Sequence, residues 1–121
     1  MAKPVLLIID DEQDIRALCS CIVKRSFDFE IVEAGSLQET NEVLKTIVPD
    51  YVILDLHLKD GVGFDLMPAI HKVNAKAKVL IVTAYNHCDE KRKSIDLGAF
   101  GLLGKPFESE ELVERINEII Q

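Results

Sequence analysis

Asp10 and Asp11, Asp55, Thr83 and Lys105 are the residues of this 121-residue chain whose types and placement could do chemistry together. Each lies at or just past the C-terminal end of a short apolar run: Val5–Ile9, Tyr51–Leu54, Val79–Val82 and Gly101–Gly104. Strand ends are where an open parallel sheet presents its ligand site. If the first and third runs are neighbouring strands, the three carboxylates meet within a few ångströms. Two like charges about 4 Å apart repel by roughly 4 kcal/mol at an effective dielectric of 20, so the cluster must take up protons or bind a cation. Oxygen-only donors with room for water suit Mg2+, which commonly shares its coordination sphere with phosphate. Lys105 could pair with Asp55 and then with a phosphoryl oxygen, and Thr83 would place a hydroxyl donor on the same oxygens. One aspartate at a strand end is often no more than a cap or turn residue. A lone threonine or lysine there is ordinary surface; the signal is the order and spacing of all five.

The elements that must position them alternate along the chain. Val5–Ile9 is a continuous apolar run, as expected of a central strand covered on both faces. Ile15, Leu18, Cys19, Ile22 and Val23 then form a helical stripe. Phe29–Ala34 reads as a second strand, nearer an edge because it is less uniformly apolar. Ser36 and Glu39 form a capping-box signature for a helix running to Val48, where Pro49 stops it. After Tyr51–Leu54, residues 57–63 form a loop with Gly61 and Gly63. A helix over Phe64–Asn74 must hold Pro68 in its first turn. Val79–Thr83 is the fourth strand, a helix over His87–Leu97 ends at Gly98, and Gly101–Gly104 is a short fifth strand. Leu112, Val113, Ile116, Ile119 and Ile120 stripe the last helix. Five such units predict an α/β fold: a doubly wound five-stranded parallel sheet with five helices distributed over both faces.

Bulk properties narrow the class. The chain has one domain's length and a composition 48% hydrophobic and 29% charged. A formal net charge of −7, from 21 acidic against 14 basic residues, argues against direct binding to nucleic acid. No run approaches the roughly 18 apolar residues of a membrane span. The N-terminus leads straight into a strand, with no signal peptide, so a cytoplasmic location is expected. Cys19 and Cys21 are two apart on a helix and point to different sides, and Cys88 stands alone; all three read as reduced, structural thiols.

Over essentially its whole length the pattern Asp10–Asp11, Asp55, Thr83, Lys105–Pro106 resembles the receiver domain of two-component response regulators. The resemblance implies a flavodoxin-like fold with strand order 2-1-3-4-5 and a single domain over residues 1–121. That domain would be a stand-alone regulator or, as the end at Gln121 suggests, the N-terminal module of a longer one with a linked output domain. It implies that Asp55 accepts a phosphoryl group from a histidine kinase or phosphotransfer protein, forming an acyl phosphate. The protein would then be a signalling domain rather than an enzyme. Mg2+ would be held by Asp11 directly, by Asp10 partly through water, by Asp55 and by the main-chain carbonyl of His57. Thr83 and Lys105 would bind the phosphoryl oxygens, and the Lys105–Pro106 bond would be cis. Such domains signal through the fourth helix, fifth strand and fifth helix, to an output domain or as a homodimer.

The sequence departs from that pattern in places. Leu102 occupies the switch position where receivers commonly carry Tyr or Phe. Phe100 lies two residues earlier, roughly 7 Å along the strand. A muted switch is therefore expected, or one carried by residues 84–89. His57 and Tyr85 overlook the phosphoryl position and are expected to tune its hydrolysis. Lys59 replaces a common Pro, which suggests a looser loop. His71 and His87 lack partners at metal spacing and read as surface residues. Lys91–Arg92–Lys93 reads as a solvated basic face, with a partner surface as the alternative.

Other classes fit less well. A haloacid-dehalogenase-type phosphatase needs a second Asp where His57 stands. A flavodoxin-like cofactor binder needs a Ser/Thr/Gly-rich loop where Asp10–Asp11–Glu12 stands, and the glycine motifs of nucleotide binders are absent. The runner-up is a receiver-like interaction module with a decayed switch. Leu102 favours it; the intact acids, Thr83 and Lys105 oppose it.

Overall fold

Alternation along each strand sends successive side chains to opposite faces, so a strand covered on both sides must be apolar at every position. The computed structural model, which describes residues 3–84, 92–93 and 95–121, meets that condition in the centre of its sheet. Strands β1 (Val5–Ile9), β2 (Glu30–Ala34), β3 (Tyr51–Leu54), β4 (Lys78–Thr83) and β5 (Gly101–Gly104) form one sheet in the order β2-β1-β3-β4-β5. All four pairings are parallel. The order implied by the resemblance holds, and β2, with its polar Glu30 and Glu33, is an edge.

Helices α1 (Gln13–Ser26), α2 (Leu37–Val43), α3 (Met67–Val73) and α4 (Ser109–Ile120) cover the two faces. On one side Leu7, Ile9, Leu54 and Ile81 pack with Met67 and Ile70 of α3. On the other, Leu6, Ile8, Ile53 and Leu80 pack with Cys19 and Ile22 of α1 and with Leu112, Ile116 and Ile119 of α4. Of the expected helix over 87–97, the described residues Arg92, Lys93, Ile95 and Asp96 are helical; His87 and Cys88 lie outside the described residues.

Several boundaries differ from the sequence reading. Helix α2 ends at Val43, not Val48. Its chain tightens into i−3 bonds, Lys45 N to Glu42 O and Thr46 N to Val43 O, ahead of the β-branched run Thr46–Val48 and Pro49. The helix expected over Phe64–Asn74 begins instead as a 3-10 turn at Gly63–Leu66, and Pro68 sits in the first turn of α3. Leu18 and Ile120, placed in the two stripes by spacing, are exposed. His71 is half-buried rather than on the surface, with Nε2 3.1 Å from the carbonyl oxygen of Ala77.

Candidate functional site

The pairing Ile9↔Leu54 sets Asp10 and Asp55 side by side beyond the ends of β1 and β3. The ladder continues one step further, with Asp10 N donating to Ala34 O at 3.1 Å and Asp55 N to Ile9 O at 2.9 Å. These bonds hold both main chains rigid while their carboxylates project past the sheet. On the next strands, Thr83 pairs with Gly104, and Lys105 N donates to Thr83 O at 2.8 Å. Four strand ends thus deliver the residues of the spacing pattern to one edge.

Carboxylate oxygens of Asp10, Asp11 and Asp55 all lie within 4.8 Å of one another. Asp10 and Asp55 are buried, at 4% and 5% exposure, whereas Asp11 is half-exposed. Lys105 Nζ sits 2.6 Å from Asp10 Oδ2 and 3.3 Å from Asp55 Oδ2. Asp10 Oδ1 accepts from the Glu12 amide at 2.9 Å, and Asp55 Oδ1 from the His57 amide at 3.3 Å. A cavity of about 170 Å³ opens above them, lined by Asp11, Glu12, Asp55, His57, Ala84 and Lys105. Thr83 is fully buried at the end of β4.

Burial pushes the Asp55 carboxyl above its ordinary value, and the Asp10 charge adds to this against the opposing pull of Lys105. Burial works against the Lys105 ammonium too. Its hydrogen bond to Asp10 and the charges of Asp55 and Asp10 outweigh that, so its pKa is raised. The site therefore holds an ammonium that stays charged and a carboxyl that ionises reluctantly. Behind it, burial and the Asp10 charge raise the Cys19 thiol to about 11, which keeps it protonated at neutral pH, and Cys21 is exposed. The structural-thiol reading fits buried Cys19, whereas Cys21 is exposed and departs from it.

The loop after β3 is better tied than the Lys59 position suggested. His57–Leu58 pairs with Gly61–Val62 as a short antiparallel ribbon, and Gly63 N donates to Leu56 O at 2.7 Å. A Cβ at Gly63 would collide with the main-chain oxygen of Asp55, so only glycine permits this approach. Asp60 accepts from the Leu37 and Gln38 amides, at 2.8 and 3.1 Å, pinning the ribbon to the start of α2. Asp60 and Arg16, which donates to the main-chain oxygen of Asp10, went unnoticed in the sequence because their partners are main-chain groups. The lone hint was an arginine one turn into the helix that follows the acid pair.

Leu102 lies away from the cluster, half-buried against the core that contains Leu7, Ile9 and Ile81. Phe100 is exposed, with the Lys78 ammonium 5.2 Å from its ring centroid, and does not replace an inward aromatic at Leu102. Tyr85 lies outside the described residues, as does Lys91 of the basic run. The Lys93 ammonium lies 5.1 Å over the Phe64 ring, so that part of the run makes an intramolecular contact. The Lys105–Pro106 bond is cis, as the resemblance implied.

The chain is 32% identical over 116 residues to the response regulator protein PilR of Pseudomonas aeruginosa, covering 96% of this chain and 26% of that protein. It is 30% identical over 111 residues to the acid tolerance regulatory protein ActR of Rhizobium meliloti, covering 92% of this chain and 56% of ActR. The chain thus spans about half or less of the length of these relatives. Its fold superposes with a TM-score of 0.88 on a response regulator receiver domain protein from Methanospirillum hungatei, at 25% identity, over 97% of this chain and 93% of the other. Residues 6–117 match the family described as the response regulator receiver domain, and the chain belongs to that family.

Proposed function

We propose that this receiver takes a phosphoryl group from a histidine kinase, or from a phosphotransfer protein, onto Asp55. The observation that carries the reading is the buried Asp55 carboxylate held between Lys105 and the acid pair, open to a small cavity. A carboxylate oxygen of Asp55 attacks the phosphorus of a phosphohistidine. The new O–P bond forms as the N–P bond breaks, and the departing imidazole takes up a proton. Lys105 and the Thr83 hydroxyl meet the phosphoryl oxygens, so catalysis consists of positioning and charge neutralisation by groups already in place.

The donor set suits magnesium: three carboxylates with converging oxygens, and a half-exposed side for water. Asp10, Asp11, Asp55 and the main-chain carbonyl of His57 would hold it. When bound, Mg2+ supplies positive charge to the transferring oxygens and relieves repulsion among the acids. His57, at the cavity wall, and Tyr85 would govern access of the hydrolysing water.

Signalling then leaves through the face that carries β5 and α4, where Phe100 is exposed, toward a partner, a second copy or a linked output domain. The greater length of PilR and ActR supports the linked arrangement. The protein would act in the cytoplasm as a signalling domain rather than an enzyme; among the described residues no helix is long and apolar enough to cross a membrane. Leu102 favours a second reading, an interaction module without the usual switch, because no aromatic stands there to rotate inward.

Intact mass after incubation with a small-molecule phosphodonor and Mg2+ separates the two. One added phosphoryl group, absent in Asp55→Asn and in chelator, supports the receiver reading. An unmodified but folded parent overturns it in favour of the interaction module.

A further inference from the structure

Asp10, one residue past β1, is the last to take part in the ladder, through its amide to Ala34 O. Its own carbonyl would next look to β2 for a donor. In this parallel register the donor due is the Ser36 amide, but there the chain has left β2 and Ser36 is the N-cap of α2. A buried carbonyl left without a partner is strongly disfavoured. Arg16, on the first turns of α1, fills the vacancy: Nη1 donates to the main-chain oxygen of Asp10. Its Nε is held in turn by Glu33 Oε1 of β2 at 3.2 Å. The guanidinium lies against Gly35, where an added Cβ would come within 3.0 Å of Nη1. A planar, two-armed donor suits this double attachment in a way that a lysine ammonium does not.

The peptide fixed by this clamp joins Asp10 to Asp11, and its orientation sets where the Asp11 side chain leaves the main chain. Asp10 itself is held at three further atoms: its amide, Oδ1 by the Glu12 amide and Oδ2 by Lys105. Among the described residues no hydrogen bond or ion pair restrains the half-exposed Asp11 carboxylate, so its direction depends on the peptide before it. We propose that Arg16, braced by Glu33 and admitted by Gly35, is a positioning residue that aims the Asp11 carboxylate at the cation site. This rests on the magnesium reading above. Arg16 touches neither the acceptor nor the cation position and acts through the Asp10–Asp11 peptide alone.

The test compares Arg16→Ala and Arg16→Lys with the parent and with Ile119→Ala, a core truncation in α4 that perturbs stability without touching the Asp10–Asp11 loop. Magnesium affinity is read by titration calorimetry, and exchange of the Glu12 amide by NMR in the metal-free protein. Removing a support of a metal ligand typically weakens affinity by about 10- to 100-fold. Both Arg16 variants should lose affinity on that scale, with faster Glu12 exchange, whereas Ile119→Ala should keep parental affinity despite its lower melting temperature. Parental affinity in Arg16→Ala overturns the proposal, as does an equal loss in Ile119→Ala. A parent that binds no magnesium overturns the function proposed above instead; unchanged Glu12 exchange in Arg16→Ala would then still overturn the clamp.

Discussion

Lys105 Nζ lies 2.6 Å from Asp10 Oδ2, a contact that bridges 95 positions of sequence. The same ammonium is 3.3 Å from Asp55, so it is held more closely by Asp10 than by Asp55. Its role at rest is to stand in for a cation among carboxylates that would otherwise repel one another.

Replacing it tests that role. Lys105→Ala leaves Asp10 and Asp55 buried without their ammonium, and breaking a buried pair typically costs about 3 kcal/mol. Urea denaturation in chelator should show a loss of that order, and saturating Mg2+ should return part of it. Uptake of a phosphoryl group from a small donor should slow, since one of the groups proposed to meet the phosphoryl oxygens is gone.

Asp55 has a folded pKa above its ordinary value of 3.8. Below that value it is protonated whether folded or unfolded, and its favourable contribution is whole. As pH rises through the folded pKa, the unfolded chain gives up the proton more readily, and stability falls. Asp55→Asn in chelator should therefore be more stable than the parent at neutral pH, by roughly 1 kcal/mol on the scale of one screened charge interaction. That advantage should narrow as the pH falls toward 3.8, as followed by thermal denaturation across a pH series.

Asp60, five positions on, should behave in the opposite sense. The Leu37 amide leads the groups that hold its carboxyl below 3.8. Its contribution is present above that value and is lost as pH falls through the lowered folded pKa. Asp60→Asn should melt below the parent at pH 7, and the two should converge in acid. An Asp60→Asn protein that melts with the parent at pH 7 would mean that the tie to α2 adds no stability.

Leu102 separates stability from chemistry. Truncation to alanine removes a half-buried side chain from the core containing Ile9 and Ile81, which should cost about 1–2 kcal/mol. The rate of phosphoryl uptake should stay at the parental value, because Leu102 packs in that core and lies away from the acid cluster. A large change in uptake would show that β5 packing controls the site.

Most of the sheet was legible because its central strands are covered on both faces and so announce themselves as unbroken apolar runs. The site was legible for a related reason: its chemistry-bearing residues follow those runs immediately. What escaped detection depends on main-chain partners. Arg16 answers a carbonyl and Asp60 two amides, and neither partner leaves a mark in residue identity. The early end of α2 reflects a β-branched run whose weak helix preference was outweighed, in the spacing argument, by Pro49 further on. Leu18 fits the helical period of α1 yet faces outward, beside the apolar hollow formed with Ile15, Pro106 and Phe107.

The ion pair between Asp10 and Lys105 also orders events during synthesis. Every acid of the cluster has left the ribosome once residue 55 has emerged, but their ammonium arrives only with the strand that ends at Gly104. A nascent chain stopped short of that point carries the acids without the ammonium that offsets them. The charge balance of the site is therefore a property of the finished sheet alone.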